Sequence, residues 1–290
     1  MKKAVRNFLA AMAVISTAGL ATGLAACSGG EKNIMVVSRE DGSGTRTAFE
    51  EIVKKDGVKL EDVTLTKALE IVKDTGPVIS KVETTATAIG YASLSAVGDT
   101  VKKLRVDGVE ATAENVQNGS YQISRPFILL TSTQYELSPL AQDFYQYCMS
   151  LETQDEISAE GCVGAEREYA AYATPSNTLS GTVKVEGSTS MKELMTAIIG
   201  EYARVQPSVT VSATYNGSSN GRSAVQNDST GNTIGLASSA KQSDKYAEHT
   251  LCIDAIAVIV NKSCALSDVS VAQLFDIYTG VITKFSEIAG

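Results

Sequence analysis

The chain has 290 residues, 43% of them hydrophobic and 20% charged, which suits a globular protein with a sizeable core and excludes disordered or fibrous classes. Its 25 basic and 33 acidic residues give a net charge of −8. So acidic a balance excludes nucleic acid as a partner, which needs basic patches, and requires that any bound anion be held by local geometry rather than by a general positive field.

The chain opens with Lys2, Lys3 and Arg6, continues with an apolar run from Phe8 to Leu24, and reaches Ala25-Ala26-Cys27. This pattern predicts a secretory leader over residues 1–26, too short and too rich in small residues to span a membrane. Setting it aside leaves 22 basic against 33 acidic residues, a net charge of −11. Leu24–Cys27 resembles the lipobox of bacterial lipoproteins, which implies lipid on Cys27, a tether over 27–32 and attachment to the extracytoplasmic face of the cell membrane. Ordinary cleavage beside Cys27 is the alternative. Past the leader no apolar stretch approaches the roughly 18 residues of a spanning helix.

In chain order, Asn33–Ser38 reads as a strand and is followed by a helix near Thr45–Lys55, with Phe49, Ile52 and Val53 on its apolar side. Residues 63–74 are expected to carry a helix, Ala86–Leu94 a strand and turn, and Phe127–Ser132 a strand before an amphipathic helix over Ser138–Leu151. Ser176–Gly181 reads as a polar linker. A strand over 182–187 then enters a helix carrying Leu194, Ile198 and Tyr202 at fourfold spacing. Ser208–Tyr215 alternates as a strand, a short helix follows, and Asn232–Ala237 and Ile253–Ser263 are further extended runs. Alternating strands and helices point to an α/β architecture. No period of 20–50 residues recurs, which excludes a solenoid.

Four cysteines besides Cys27 allow disulfides in an extracytoplasmic protein: Cys148, Cys162, Cys252 and Cys264. Cys148 and Cys162 bracket a helix end and a short loop and are the expected pair, whereas an extended run would hold Cys252 and Cys264 apart. Metal ligation is not expected, because C-x-x-C is absent and His249 is the single histidine.

Three strand-to-helix junctions are crowded with glycine and small hydroxyl residues: "DGSGTR" at Asp41–Arg46, "EGSTS" at Glu186–Ser190 and "NGSSNG" at Asn216–Gly221. A fourth, "GLASSA" at Gly235–Ala240, follows a strand-like run. Any one of them is readable as an ordinary helix cap. Together, and with Arg39 beside the first, they can aim N–H groups, hydroxyls and helix dipoles at a small, multiply charged oxyanion.

The stretches "REDGSGTR", "TAIGYASL", "VEGSTS", "IDAIAVIVN" and "DIYTGVITKFSEIAG" resemble the phosphate-binding protein of the bacterial phosphate-specific ABC importer over nearly the whole mature chain. The resemblance implies a type II periplasmic-binding-protein fold: two α/β lobes, each a mixed sheet flanked by helices, with the ligand in the cleft between them. It implies a monomer without cofactor that is not an enzyme, captures inorganic phosphate and hands it to a membrane permease and ATPase. The implied anion site is Arg39, Ser43, Gly44 and Thr45 from one lobe with Ser188, Thr189, Ser190 and Ser218 from the other, and Ser238 at the fourth junction. Asp41 is implied to hold Arg39 in position.

Two departures stand out. The family runs from "GSTS" through "ITKFSEIAG" to "SREDGSGTR", whereas this chain begins at the last of these, as in a circular permutation. The lobes are then expected at 33–121 plus 255–290 and at 122–254, with Gly290 near 32–34. At the fourth junction some family members carry an aspartate that accepts the proton of hydrogen phosphate, where this chain has Ser238, so rejection of sulfate loses its usual basis. Two other functions compete. One is a binder of sulfate or molybdate. The other is a serine hydrolase, since Gly217–Gly221 fits G-x-S-x-G, with Ser219 as nucleophile, His249 as base and Asp228 or Asp244 as acid. A Walker-type nucleotide loop is absent.

Overall fold

A computed structural model describes residues 32–176 and 178–288. The leader, Cys27 and Gly290, and with them the expectations about lipid and about the last residue, lie outside the described residues. Strand β1 (Met35–Arg39) delivers Arg39 to helix α1 (Gly44–Ile52), whose N-cap Ser43 accepts from the Arg46 N–H at 3.4 Å. Strand β2 (Leu69–Val72) precedes helix α2 (Thr75–Thr84), and β3 is Ala88–Ser93. Then come β4 (Ser124–Ser132) and α3 (Pro139–Cys148), capped by Ser138. The longer elements that follow are β5 (Gly181–Gly187), α4 (Lys192–Val205), β6 (Val209–Tyr215), α5 (Ser218–Asn227), β7 (Thr233–Ala237), β8 (Tyr246–Val260) and α6 (Val271–Thr279).

Residues 63–74 hold a strand rather than a helix, because Leu69–Val72 pair in parallel with Val36–Arg39 of β1. The short "LEIV" run suits an edge strand, and this pairing overrides the helix-forming residues before it. The helix starts at Thr75, just past that strand, with Pro77 in its first turn where the missing N–H costs little.

The strands run β6-β5-β7-β4-β8-β3-β1-β2. Pairs within β6-β5-β7 and within β3-β1-β2 are parallel, and β4 and the long β8 stand between the two groups, antiparallel to each other and to their neighbours. From Tyr246 to Ala255 it pairs with β4, and from Ile256 to Val260 with β3. The apolar side chains follow the same division. One core gathers residues between Ile34 and Ile123 with those between Ala255 and Ile288, and a second gathers residues between Phe127 and Cys252. Phe49 and Tyr91 stack at 4.0 Å in the first, and Phe144 meets Tyr202 edge-on at 4.9 Å in the second. The Ile34 N–H donates to the Thr283 carbonyl at 2.7 Å, so the two ends of the first core meet. Among the described residues no helix is long and apolar enough to cross a membrane.

The cysteines differ from expectation. All four are free thiols, and Cys162 faces Cys252 rather than Cys148. The cause is the two-residue strand Val163–Gly164, which folds back on β8 opposite Ile253 and Cys252. A hydrogen bond to Cys252, together with burial, raises the Cys162 thiol far above its ordinary range. Cys264 packs against the other core.

Candidate functional site

Arg39 ends β1 and is 2% exposed, so its charge requires partners. Its Nε and Nη2 donate to the two Glu40 carboxylate oxygens at 2.8 and 2.9 Å. Nη1 donates to Thr75 Oγ1 at 3.2 Å, and Nη2 also reaches Thr189 Oγ1 at 3.1 Å. Burial alone would raise the Glu40 carboxyl, but the hydrogen bond and charge of Arg39 hold it below its ordinary value. The orienting acid is therefore Glu40, not Asp41. Asp41 is almost fully exposed and binds Arg46 Nη1 at 2.6 Å, because the turn after Glu40 carries it outward.

Around Arg39 the hydroxyls converge. Thr45 Oγ1 lies 2.8 Å from Ser190 Oγ, and Thr75 Oγ1 lies 3.1 Å from Thr189 Oγ1 and 3.3 Å from Ser190 Oγ. Ser188 Oγ donates to Ser238 Oγ at 2.9 Å, and Ser218 Oγ accepts the Ser238 N–H at 3.1 Å. All of these residues are buried, as is Ser43. Thr45 and Ser218 stand at the first turns of α1 and α5, and Ser188–Ser190 stand in the turn leading into α4. Helix N-termini supply both free N–H groups and positive dipole ends. The cluster joins residues on elements of both cores, Arg39, Thr45 and Thr75 on those of the first and Ser188, Thr189 and Ser190 between β5 and α4 of the second.

Gly44 makes the join close enough. A Cβ at that position would lie 2.5 Å from Ser218 Oγ and 2.6 Å from Ser238 Oγ, so only glycine lets these loops meet. The Ser219 N–H donates to the Gly42 carbonyl at 3.2 Å, a main-chain contact between the same two loops.

Comparison with known proteins gives this geometry a context. A sequence profile described as the PBP superfamily domain matches residues 21–152 and 173–290. A protein of Streptococcus pneumoniae named "Phosphate-binding protein PstS 2" is 38% identical over 261 residues, covering 88% of this chain and 87% of its own. Its Streptococcus agalactiae counterpart is 34% identical over 301 residues, the full length of both. The crystal structure of a phosphate-binding protein of a phosphate ABC transporter from S. pneumoniae superposes with a TM-score of 0.66 at 37% identity, covering 89% of this chain and 100% of that one. The chain belongs to the PBP superfamily, among the phosphate-binding PstS proteins.

Within that superfamily fold the long β8 is a crossing strand, and it carries a second buried arginine pair. Arg125 of β4 and Asp254 of β8 face each other in register, with Nη2 3.2 Å from Oδ2 and both side chains at most 1% exposed. Ser93 Oγ also donates to Asp254 Oδ2 at 2.9 Å, and Arg125 Nη1 donates to the Ser238 carbonyl at 3.3 Å. Burial raises the Asp254 carboxyl to about 6 against the opposing pull of Arg125. Neither Glu40 nor Asp254 hydrogen-bonds to a hydroxyl of the cluster itself. Ser238 thus has serine neighbours, Ser188 and Ser218, and no carboxylate.

The hydrolase constellation is not brought together. Ser219 is exposed, Asp228 bonds the Thr230 hydroxyl and N–H, and His249 of β8 bonds Thr131 Oγ1 of β4 at 2.9 Å. His249 is half-buried against Tyr145. Among the described residues no group of three or more His, Cys, Asp or Glu could hold a metal ion. Sequence reasoning missed Glu40, Thr75 and Arg125. Glu40 was visible beside Arg39, and "DTGP" at Asp74–Pro77 carries the residues of a helix start. Arg125 had no local signal, because its partner is 129 residues away.

Proposed function

We propose that the protein captures inorganic phosphate outside the cytoplasm and delivers it to the permease and ATPase of an ABC importer. The observation that carries this reading is the buried Arg39, whose remaining N–H groups turn into hydroxyls drawn from both cores. Arg39, Ser43, Gly44, Thr45, Ser188, Thr189, Ser190, Ser218 and Ser238 are the proposed ligands, with Glu40 orienting the guanidinium. One cation, neutral hydroxyls and helix ends suit a small dianion in a site shielded from solvent. The anion is enclosed when the two lobes close about β4 and β8. Membership of the binding-protein family argues against the hydrolase reading.

The lobes are inferred at 33–121 plus 255–290 and at 122–254, which the two cores and the change of partner along β8 support. The bond from Ile34 to Thr283 supports a permuted order, with both ends of the chain completing one lobe. Lipid on Cys27 and a monomeric state belong to the same proposal. A binder of sulfate is the second reading, favoured by the absence of a carboxylate from the hydrogen bonds of Ser238. Calorimetric titration of phosphate-stripped protein with phosphate, sulfate and molybdate tests both readings. Binding of sulfate or molybdate in preference to phosphate would overturn the first.

A further inference from the structure

We infer that Thr75 is a further anion-contacting residue, a donor brought to the same site by the N-terminus of α2. This rests on the proposed phosphate site. Thr75 is 5% exposed, and its hydroxyl lies within 3.3 Å of three groups that come from both cores: Arg39 Nη1, Thr189 Oγ1 and Ser190 Oγ. It is the hydrogen-bond partner of Arg39 Nη1, whereas Glu40 takes Nε and shares Nη2 with Thr189. The preceding Asp74 has a positive φ of 69° and its side chain gives no cap, so the N–H groups of the first turn are not taken by the side chain of the N-cap residue.

The chemistry of this position is directional. A guanidinium only donates, so Thr75 Oγ1 accepts from Arg39 and its own hydrogen is left to give away. Thr75 therefore offers an anion a donor, and it pairs with an unprotonated oxygen. It also borders, with Thr189, a cavity of about 360 Å³ lined by Asp74, Gly76, Lys192 and Tyr215. Its hydroxyl, beside that of Thr189, thus stands between this cavity and the guanidinium.

The test is calorimetric titration of the wild type, Thr75→Val and Thr75→Ser with inorganic phosphate, beside thermal unfolding of each without phosphate. Valine keeps the branched shape and removes the hydroxyl. Thr75→Val is expected to bind at least about tenfold more weakly and Thr75→Ser within about threefold of wild type. Melting temperatures should agree within about 3 °C. Phosphate binding by Thr75→Val within about threefold of wild type overturns the assignment, as does equal weakening in Val and Ser variants, which would mean packing alone. Should Thr75→Val fail to fold, Thr75→Ala is read by the same criteria. A wild type that takes up no phosphate contradicts the proposed function itself, which the ratio between variants does not measure.

Discussion

Two buried arginines, at most 2% exposed, stand close to each other in this molecule and serve opposite ends. Arg125 meets Asp254 straight across a strand pair, and its Nη1 donates to the main-chain carbonyl of Ser238, so its hydrogen bonds go to a paired carboxylate and a fixed carbonyl. Arg39 has its acid on the next residue, which engages one edge of the guanidinium and leaves the other turned into hydroxyls from both cores. Hydroxyls rotate and can exchange one another for an anion, whereas a carbonyl and a paired carboxylate cannot. A buried charge is thus structural or ligand-binding according to the exchangeability of its partners.

Breaking the comparison at Arg39 should have the largest effect. Arg39→Ala is expected to weaken phosphate binding by about 2–5 kcal/mol, read by calorimetry, since the charged donor is lost from a buried site. Binding within about threefold of wild type would remove Arg39 from the site.

At the other arginine the expected effect is on stability and depends on pH. The Asp254 carboxyl is raised from 3.8 to about 6 by burial, so the folded state holds its proton more tightly than the unfolded state. Its ionisation then lowers stability as the pH rises from about 4 to about 6. Asp254→Asn lacks this titration, so the difference in stability should move in favour of the variant over that window, by about 3 kcal/mol at most. Urea denaturation at pH 4, 5, 6 and 7 checks this, and a difference that does not change with pH would contradict it.

A smaller contrast separates neighbouring acids. Glu40→Gln removes the charge that orients Arg39 and is expected to alter phosphate affinity by roughly tenfold. Asp41→Asn touches an exposed pair with Arg46 and should change binding and stability by under about 1 kcal/mol. A larger effect at Asp41 than at Glu40 would reverse the assignment.

The sequence announced the α/β class, most strands and the glycine- and hydroxyl-rich junctions, because each depends on a few neighbouring residues. It misled where a distant partner decides. "LEIV" becomes a strand only because β1 lies beside it, and Cys162 meets Cys252 only because Val163–Gly164 returns to β8. Choosing Glu40 over Asp41 required the path of the turn, which puts one carboxylate on Arg39 and the other on Arg46. Thr75 was hidden by the expected helix before it, whose removal turns "DTGP" into the start of α2.

The central claim is that this cluster holds phosphate, and titration of the phosphate-stripped protein with inorganic phosphate tests it most directly. A single tight site per chain is expected, with weaker but measurable binding of sulfate at millimolar concentration because the Ser238 hydroxyl meets the hydroxyls of Ser188 and Ser218 and no carboxylate. Saturating heat with one phosphate per chain, lost in Arg39→Ala, is the predicted result; no uptake of phosphate by the wild type would contradict it.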